Sequence, residues 1–220
     1  MSTTAAQLET ATFTRDNPSP RYRELIKAYQ QLHAGGSPQQ GIEAKHMFPG
    51  QSLLEHVGPL LELVRRYQFR TMLDYGCGKA MLYRPGNRIQ LTDGRTFACL
   101  QDLLGVEVTL FDPAYLPHSV RPQQPCDLVV CTDVLEHCSV EDVGWIVDDL
   151  FSYANTFVYA NIACYPAKKT LPNGENAHCT VEDVAWWRQV IEPVASNHPT
   201  VSYRFICTLA DTSQHLISNV

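Results

Sequence analysis

Two carboxylates and two imidazoles in this 220-residue chain stand at spacings that suit one ion. In CTDVLEHC, Asp133, Glu136 and His137 fall at i, i+3 and i+4, so a single helical turn would present all three on one side. His178, in NGENAHCTVED, stands just before a helix-capping pattern, on a loop that must cross the same edge. Oxygen and imidazole ligands suit a hard divalent ion such as Mg2+ or Mn2+. Such an ion lowers the pKa of a bound hydroxyl, and a histidine can receive the proton. The same residues also allow a metal-free reading, in which Glu136 and His137 shape a pocket or serve as general base. Either way His137, Glu136 and His178 are the expected catalytic groups. His46, His56 and His118 have no comparable partners and read as surface or core residues.

A second constellation lies upstream. TMLDY reads as a strand whose end carries Asp74, and Gly76-Cys77-Gly78 follow at once. That places bare backbone at the carboxyl edge of a sheet, where a Cβ would strike a ligand or forbid the turn. Asp112, closing VEVTLFD, is placed to accept hydrogen bonds from both hydroxyls of a ribose. Strand, glycine turn and strand-terminal acid together describe a nucleoside site. A dinucleotide enzyme wants GxGxxG, but here GCGKAM puts Met81 where the third glycine belongs.

The elements that must position these residues read as follows. Residues 1–19 are polar and predict a loose tail; 20–69 predict N-terminal helices on the substrate side; 70–220 predict the main α/β domain. PRYRELIKAYQQLH reads as an amphipathic helix, and a second begins at Ser52, where Ser52 and Glu55 form a capping box and Pro59 introduces a kink. From residue 70 short apolar strands (71–75, 106–112, 126–132, 155–163, 201–209) alternate with helices, the pattern of a doubly wound, mostly parallel sheet. Capping boxes at Ser139/Asp142 and Thr180/Asp183 open two of those helices, and of Trp186 and Trp187 one ring is expected in the core and one at a pocket rim. KHMFPGQS is expected either as a lid, through Met47 and Phe48, or as a staple onto the next helix.

Composition narrows the classes. A net charge of −6 disfavours a polynucleotide as partner, because that affinity needs a surplus of lysine and arginine. No basic leader or long apolar stretch is present, which predicts a soluble cytoplasmic protein without a membrane partner. Eight cysteines without a CxxC read as buried thiols. Nothing in the sequence bears on oligomeric state.

DYGCG resembles motif I of the class I S-adenosylmethionine-dependent methyltransferases, an acid, one residue, then GxGxG, with Ala80 in place of the last glycine. CDLVVCTDVLEH is similar to the fourth-strand motif of the small-molecule branch, and the resemblance spans residues 70–165. It implies a seven-stranded Rossmann-like sheet and S-adenosylmethionine bound by Asp74, Gly76, Cys77, Gly78, Asp112 and Cys131. The acid-x-x-Glu-His pattern also resembles the small-RNA terminal 2′-O-methyltransferases and the ubiquinone-biosynthesis O-methyltransferases. That implies Asp133, Glu136, His137 and His178 as metal ligands, with Asp133 where a glutamate is more usual. Only 13 residues separate Asp112 from Cys126, too few for the usual helix and strand, so the acid that reads adenine is missing from its place. The expected activity is O-methylation of a small molecule or sugar hydroxyl. The alternatives are an RNA 2′-O-methyltransferase and a noncatalytic S-adenosylmethionine-binding partner subunit.

Overall fold

The computed structural model describes residues 13–91 and 93–220. In chain order its elements are α1 (Pro20–Gly35), α2 (Val57–Tyr67), β1 (Thr71–Tyr75), β2 (Ile89–Gln90), β3 (Thr96–Phe97), α3 (Leu100–Leu104), β4 (Glu107–Phe111), β5 (Cys126–Thr132), α4 (Val140–Ser152), β6 (Ala154–Ala163), α5 (Val184–Ser196), β7 (Ser202–Thr208) and β8 (Gln214–Ser218). Six strands form the central sheet in the order β4-β1-β5-β6-β7-β8, and β2 pairs with β3 in a separate antiparallel ribbon. Every pairing in the central sheet is parallel except β7 with β8.

Period-two alternation sends successive side chains to opposite faces, and both faces are covered. Leu73, Val129, Cys131, Val158 and Ala160 pack with α4 and α5; Met72, Leu128, Val130, Phe157 and Tyr159 pack with α2 and α3. The result is a Rossmann-like α/β fold. Among the described residues the main sheet has six strands, not the expected seven. The 13-residue connection from Asp112 to Cys126 holds only a 3-10 turn at Leu116–His118, which leaves β4 at the edge.

Helix α1 meets the α4 side through Tyr22 and otherwise builds a cluster of its own. Its Leu25, Tyr29 and Leu32 form a third cluster with Met47, Ala114, Leu171 and Ala177. The Ser19 hydroxyl caps it, accepting from the Tyr22 N–H at 2.9 Å, and Pro20 occupies the first turn. Of the expected loose tail, residues 1–12 lie outside the described residues, whereas 13–19 are fastened. Ser19 is fully buried with its N–H donated to Asp142 at 3.0 Å, and Arg15 pairs with Asp149.

Two boundaries differ from the sequence pattern. Residues 51–56 form a 3-10 turn without a Ser52 side-chain cap, and α2 starts at Val57. Pro59 therefore falls in a first turn, where a missing N–H is tolerated, and not at a mid-helix kink. Helix α5 is capped by Asp183, which accepts from the Trp186 N–H at 2.8 Å, while the Thr180 hydroxyl donates instead to the Cys138 carbonyl at 2.7 Å. Trp187 is fully buried as expected, but Trp186 packs partly covered on the same core and takes no part in the cavity wall.

Candidate functional site

The strand order reverses at β1: β4 lies on one side, and β5 and the later strands on the other. In open α/β sheets the crevice at such a point, over the carboxyl ends of the strands, takes ligands. Here it is a cavity of about 520 Å³. Its floor is Asp74 to Gly78, Asp112 to Ala114 and Thr132 to Val134; α1 supplies Tyr22, Tyr29 and His33, and Phe48 to Leu53 close one side. Tyr165, Lys168, Lys169 and His178, from the connection after β6, complete the wall.

Gly76 and Gly78 both take left-handed backbone, φ +81° and +57°. A Cβ on Gly76 would stand 2.3 Å from the Val134 side chain, and one on Gly78 would stand 2.4 Å from the Phe48 carbonyl oxygen. The glycines are thus required by packing against protein, where a clash with ligand was expected. Phe48 and Pro49 also bind the turn directly, their carbonyls accepting from the Lys79 and Met81 N–H groups at 2.9 and 3.0 Å. The two readings of KHMFPGQS divide accordingly: Phe48 lines the cavity beside the turn, while Met47 is buried in the α1 cluster. Ala80, in the last glycine's position, is itself left-handed at φ +50°.

Asp112 accepts N–H bonds from Gly78 at 2.9 Å, Ala114 at 2.8 Å and Tyr115 at 3.1 Å, which ties the glycine turn to the end of β4. Burial raises its carboxyl, and the N–H bonds from Ala114 and Gly78 work against that rise. Asp74 is buried and accepts the Tyr83 hydroxyl at 2.9 Å; desolvation, opposed by that bond and aided by Asp112, lifts it to about 7. Cys77 lines the cavity. Cys131 does not: as an inward residue of β5 it sits in the core under α4, so its expected cofactor contact is lost to strand alternation.

Glu136, His137 and His178 bring one ligand atom each to within 4.8 Å of one another. Glu136 is fully buried, and its Oε1 accepts from the Ala163 N–H at 3.0 Å while Oε2 has no partner. Burial drives its carboxyl well above the usual range. The Nδ1 of His137 meets the Ala177 carbonyl at 2.8 Å and that of His178 meets the Tyr165 carbonyl at 2.5 Å. A carbonyl only accepts, so both rings carry their proton on Nδ1 and offer Nε2 as a lone pair. A ring nitrogen tied to a carbonyl while the other is left free is how proteins orient imidazole ligands.

Asp133 does not join them. The structure makes residues 135–137 a 3-10 turn and puts Asp133 before it in a left-handed kink at φ +54°, so the expected helical stacking fails. Its carboxylate accepts the Asn161 amide at 2.6 Å, and Asn161 in turn accepts the Thr208 hydroxyl at 2.9 Å. It remains on the cavity floor.

Tyr29 escaped the sequence reading. Its hydroxyl donates to the Ala177 carbonyl at 2.6 Å and lies 3.0 Å from His137 Nδ1. With Leu25 and Leu32 it follows the apolar stripe of α1, so nothing in its spacing separates it from core. His56, read as surface or core, is core, bonded to the Tyr159 hydroxyl at 2.8 Å.

No protein-family model and no curated protein matches the chain. One solved structure, described as "Low resolution structure of SPT", aligns with 95% of this chain and 54% of its own at 12% identity. The chain thus spans about half of that one, and the TM-score of 0.30 carries no argument about either fold or function. Among the described residues no helix is long and apolar enough to cross a membrane.

Proposed function

We propose that this chain is an S-adenosylmethionine-dependent methyltransferase that methylates a hydroxyl oxygen of a small molecule, assisted by a divalent cation at Glu136, His137 and His178. One observation carries the reading: the glycine turn with Asp74 and Asp112 opens on the same cavity as His137 and His178, behind which Glu136 keeps an unpartnered oxygen. The donor sets fit both groups. Asp74 and Asp112 are strand-end acids flanking bare backbone, suited to a nucleoside-bearing cation, and a buried carboxylate and two imidazoles with ligand atoms within 4.8 Å of one another suit Mg2+ or Mn2+. S-adenosylmethionine would supply an electrophilic methyl, and the cation a charge that acidifies a hydroxyl.

The chain's own residues do the positioning. The Ala163 N–H orients Glu136, the Ala177 carbonyl and Tyr29 orient His137, and the Tyr165 carbonyl orients His178. Burial, with His178 adding to it, pushes His137 down to about 3. An imidazole so hard to protonate is a poor base at neutral pH, which favours its role as a ligand over the base also expected for it. Transfer then rests mainly on alignment in a cavity closed by Tyr22, Tyr29 and Phe48.

Equilibrium dialysis against Mn2+ tests the assignment. His178→Ala should lose Mn2+ binding and methyl transfer while S-adenosylhomocysteine affinity stays within about twofold of wild type. Unchanged Mn2+ binding in the variant removes His178 from the ion.

A further inference from the structure

We infer that the cavity contains an anion subsite at Lys169, so that the acceptor carries a carboxylate or phosphate beside the hydroxyl it presents to the histidines. The inference rests on the methyltransferase reading and narrows its substrate class. Lys169 stands half-buried on the cavity wall with its Nζ 4.8 Å from the centroid of the Phe48 ring. Among the described residues no carboxylate lies within ion-pair distance of it. It shares the cavity wall with Tyr29 and His33 of α1 and with His137 and His178.

None of the cavity's acids pairs with it; each is engaged by another group. Asp112 is occupied by three N–H groups, Asp74 by Tyr83, and Asp133 by Asn161. Lys168, its neighbour on the wall, is exposed to water, and Lys79 is committed elsewhere: it donates to the His33 carbonyl at 3.0 Å, lies 4.7 Å from the Tyr115 ring centroid and is absent from the cavity wall. An ammonium drawn out of water without a counter-charge is costly, and one aromatic face recovers only part of that cost. Desolvation accordingly lowers the Lys169 ammonium from its ordinary range. An anion arriving with the acceptor restores the balance and orients the hydroxyl at the same time.

Inorganic phosphate is the probe, titrated calorimetrically in the presence of chelator, so that no metal bridges it, into protein saturated with S-adenosylhomocysteine. Wild type should bind phosphate saturably, and Lys169→Met, with an unchanged melting temperature, should bind it roughly tenfold more weakly or worse. The variant should keep its S-adenosylhomocysteine affinity. Absent phosphate binding in the loaded wild type, or equal binding in the two proteins, overturns the subsite. Loss of S-adenosylhomocysteine affinity in Lys169→Met also overturns it, by assigning the lysine to the cofactor's own carboxylate. Failure of wild type to bind S-adenosylhomocysteine at all is a failure of the methyltransferase reading instead. Phosphate titrated into the unloaded pair then decides the subsite alone. Parallel titration with acetate separates a carboxylate from a phosphate preference.

Discussion

Asp74 holds a buried carboxyl where the glycine turn meets the cavity, and burial sets its response to pH. A carboxyl raised to about 7 contributes stability that is complete below the unfolded value near 4 and is lost as pH rises through 7. Asp74→Asn does not titrate, so its stability relative to wild type should improve by roughly 1 kcal/mol per pH unit between pH 4 and 7. Urea melts of both ligand-free proteins across that window check this, and a pH-independent difference would contradict the burial of a titrating Asp74. Ala80 is the second residue-scale test. It takes a left-handed conformation at φ +50° that costs a residue with a Cβ about 1 kcal/mol, so Ala80→Gly should stabilise by up to about that amount. A thermal melt showing destabilisation would count against the strained turn. Legibility at this scale followed residue type more than orientation. Glu136, His137 and His178 converge as their spacing suggested, because a short turn and a long loop meet at one sheet edge. Asp133 does not join them and Cys131 does not line the cavity, since their directions depend on one left-handed residue and on strand parity, neither of which residue type encodes.

Helix α1 does more at the element scale than its amphipathic pattern announced. By laying Leu25, Tyr29 and Leu32 against Met47, Ala177 and the 164–178 connection, it closes the cavity and delivers the Tyr29 hydroxyl to His137. Tyr29→Phe keeps the packing and removes that hydroxyl. It should weaken Mn2+ binding by roughly 10- to 100-fold, the usual cost of losing a group that orients a metal-bound histidine, with S-adenosylhomocysteine affinity within about twofold. Equal Mn2+ affinity in wild type and variant would leave Tyr29 a packing residue. Helix and strand existence was legible from periodicity, whereas starts were not. The 3-10 turn over 51–56 and the Asp183 cap both displaced capping boxes written plainly at Ser52 and Thr180, because caps are settled by which backbone N–H is left unpaired after tertiary packing.

For the molecule as a whole, the missing strand and the cavity have a common origin. The short passage from Asp112 to Cys126 leaves β4 at the edge and brings Pro113 and Ala114 directly onto the cavity floor. The parallel, doubly covered sheet was legible because its strands are apolar on both faces. The strand count was not, since only the length of one connection spoke against a seventh strand. A ligand that binds only the folded state raises its stability, so both proposed ligands should shift the thermal transition upward, and in either order. The most direct measurement is calorimetric titration of S-adenosylmethionine into chelator-treated protein, followed by Mn2+ into the loaded complex. One cofactor and then one ion should bind saturably per chain; absence of any heat on cofactor addition would refute the methyltransferase assignment.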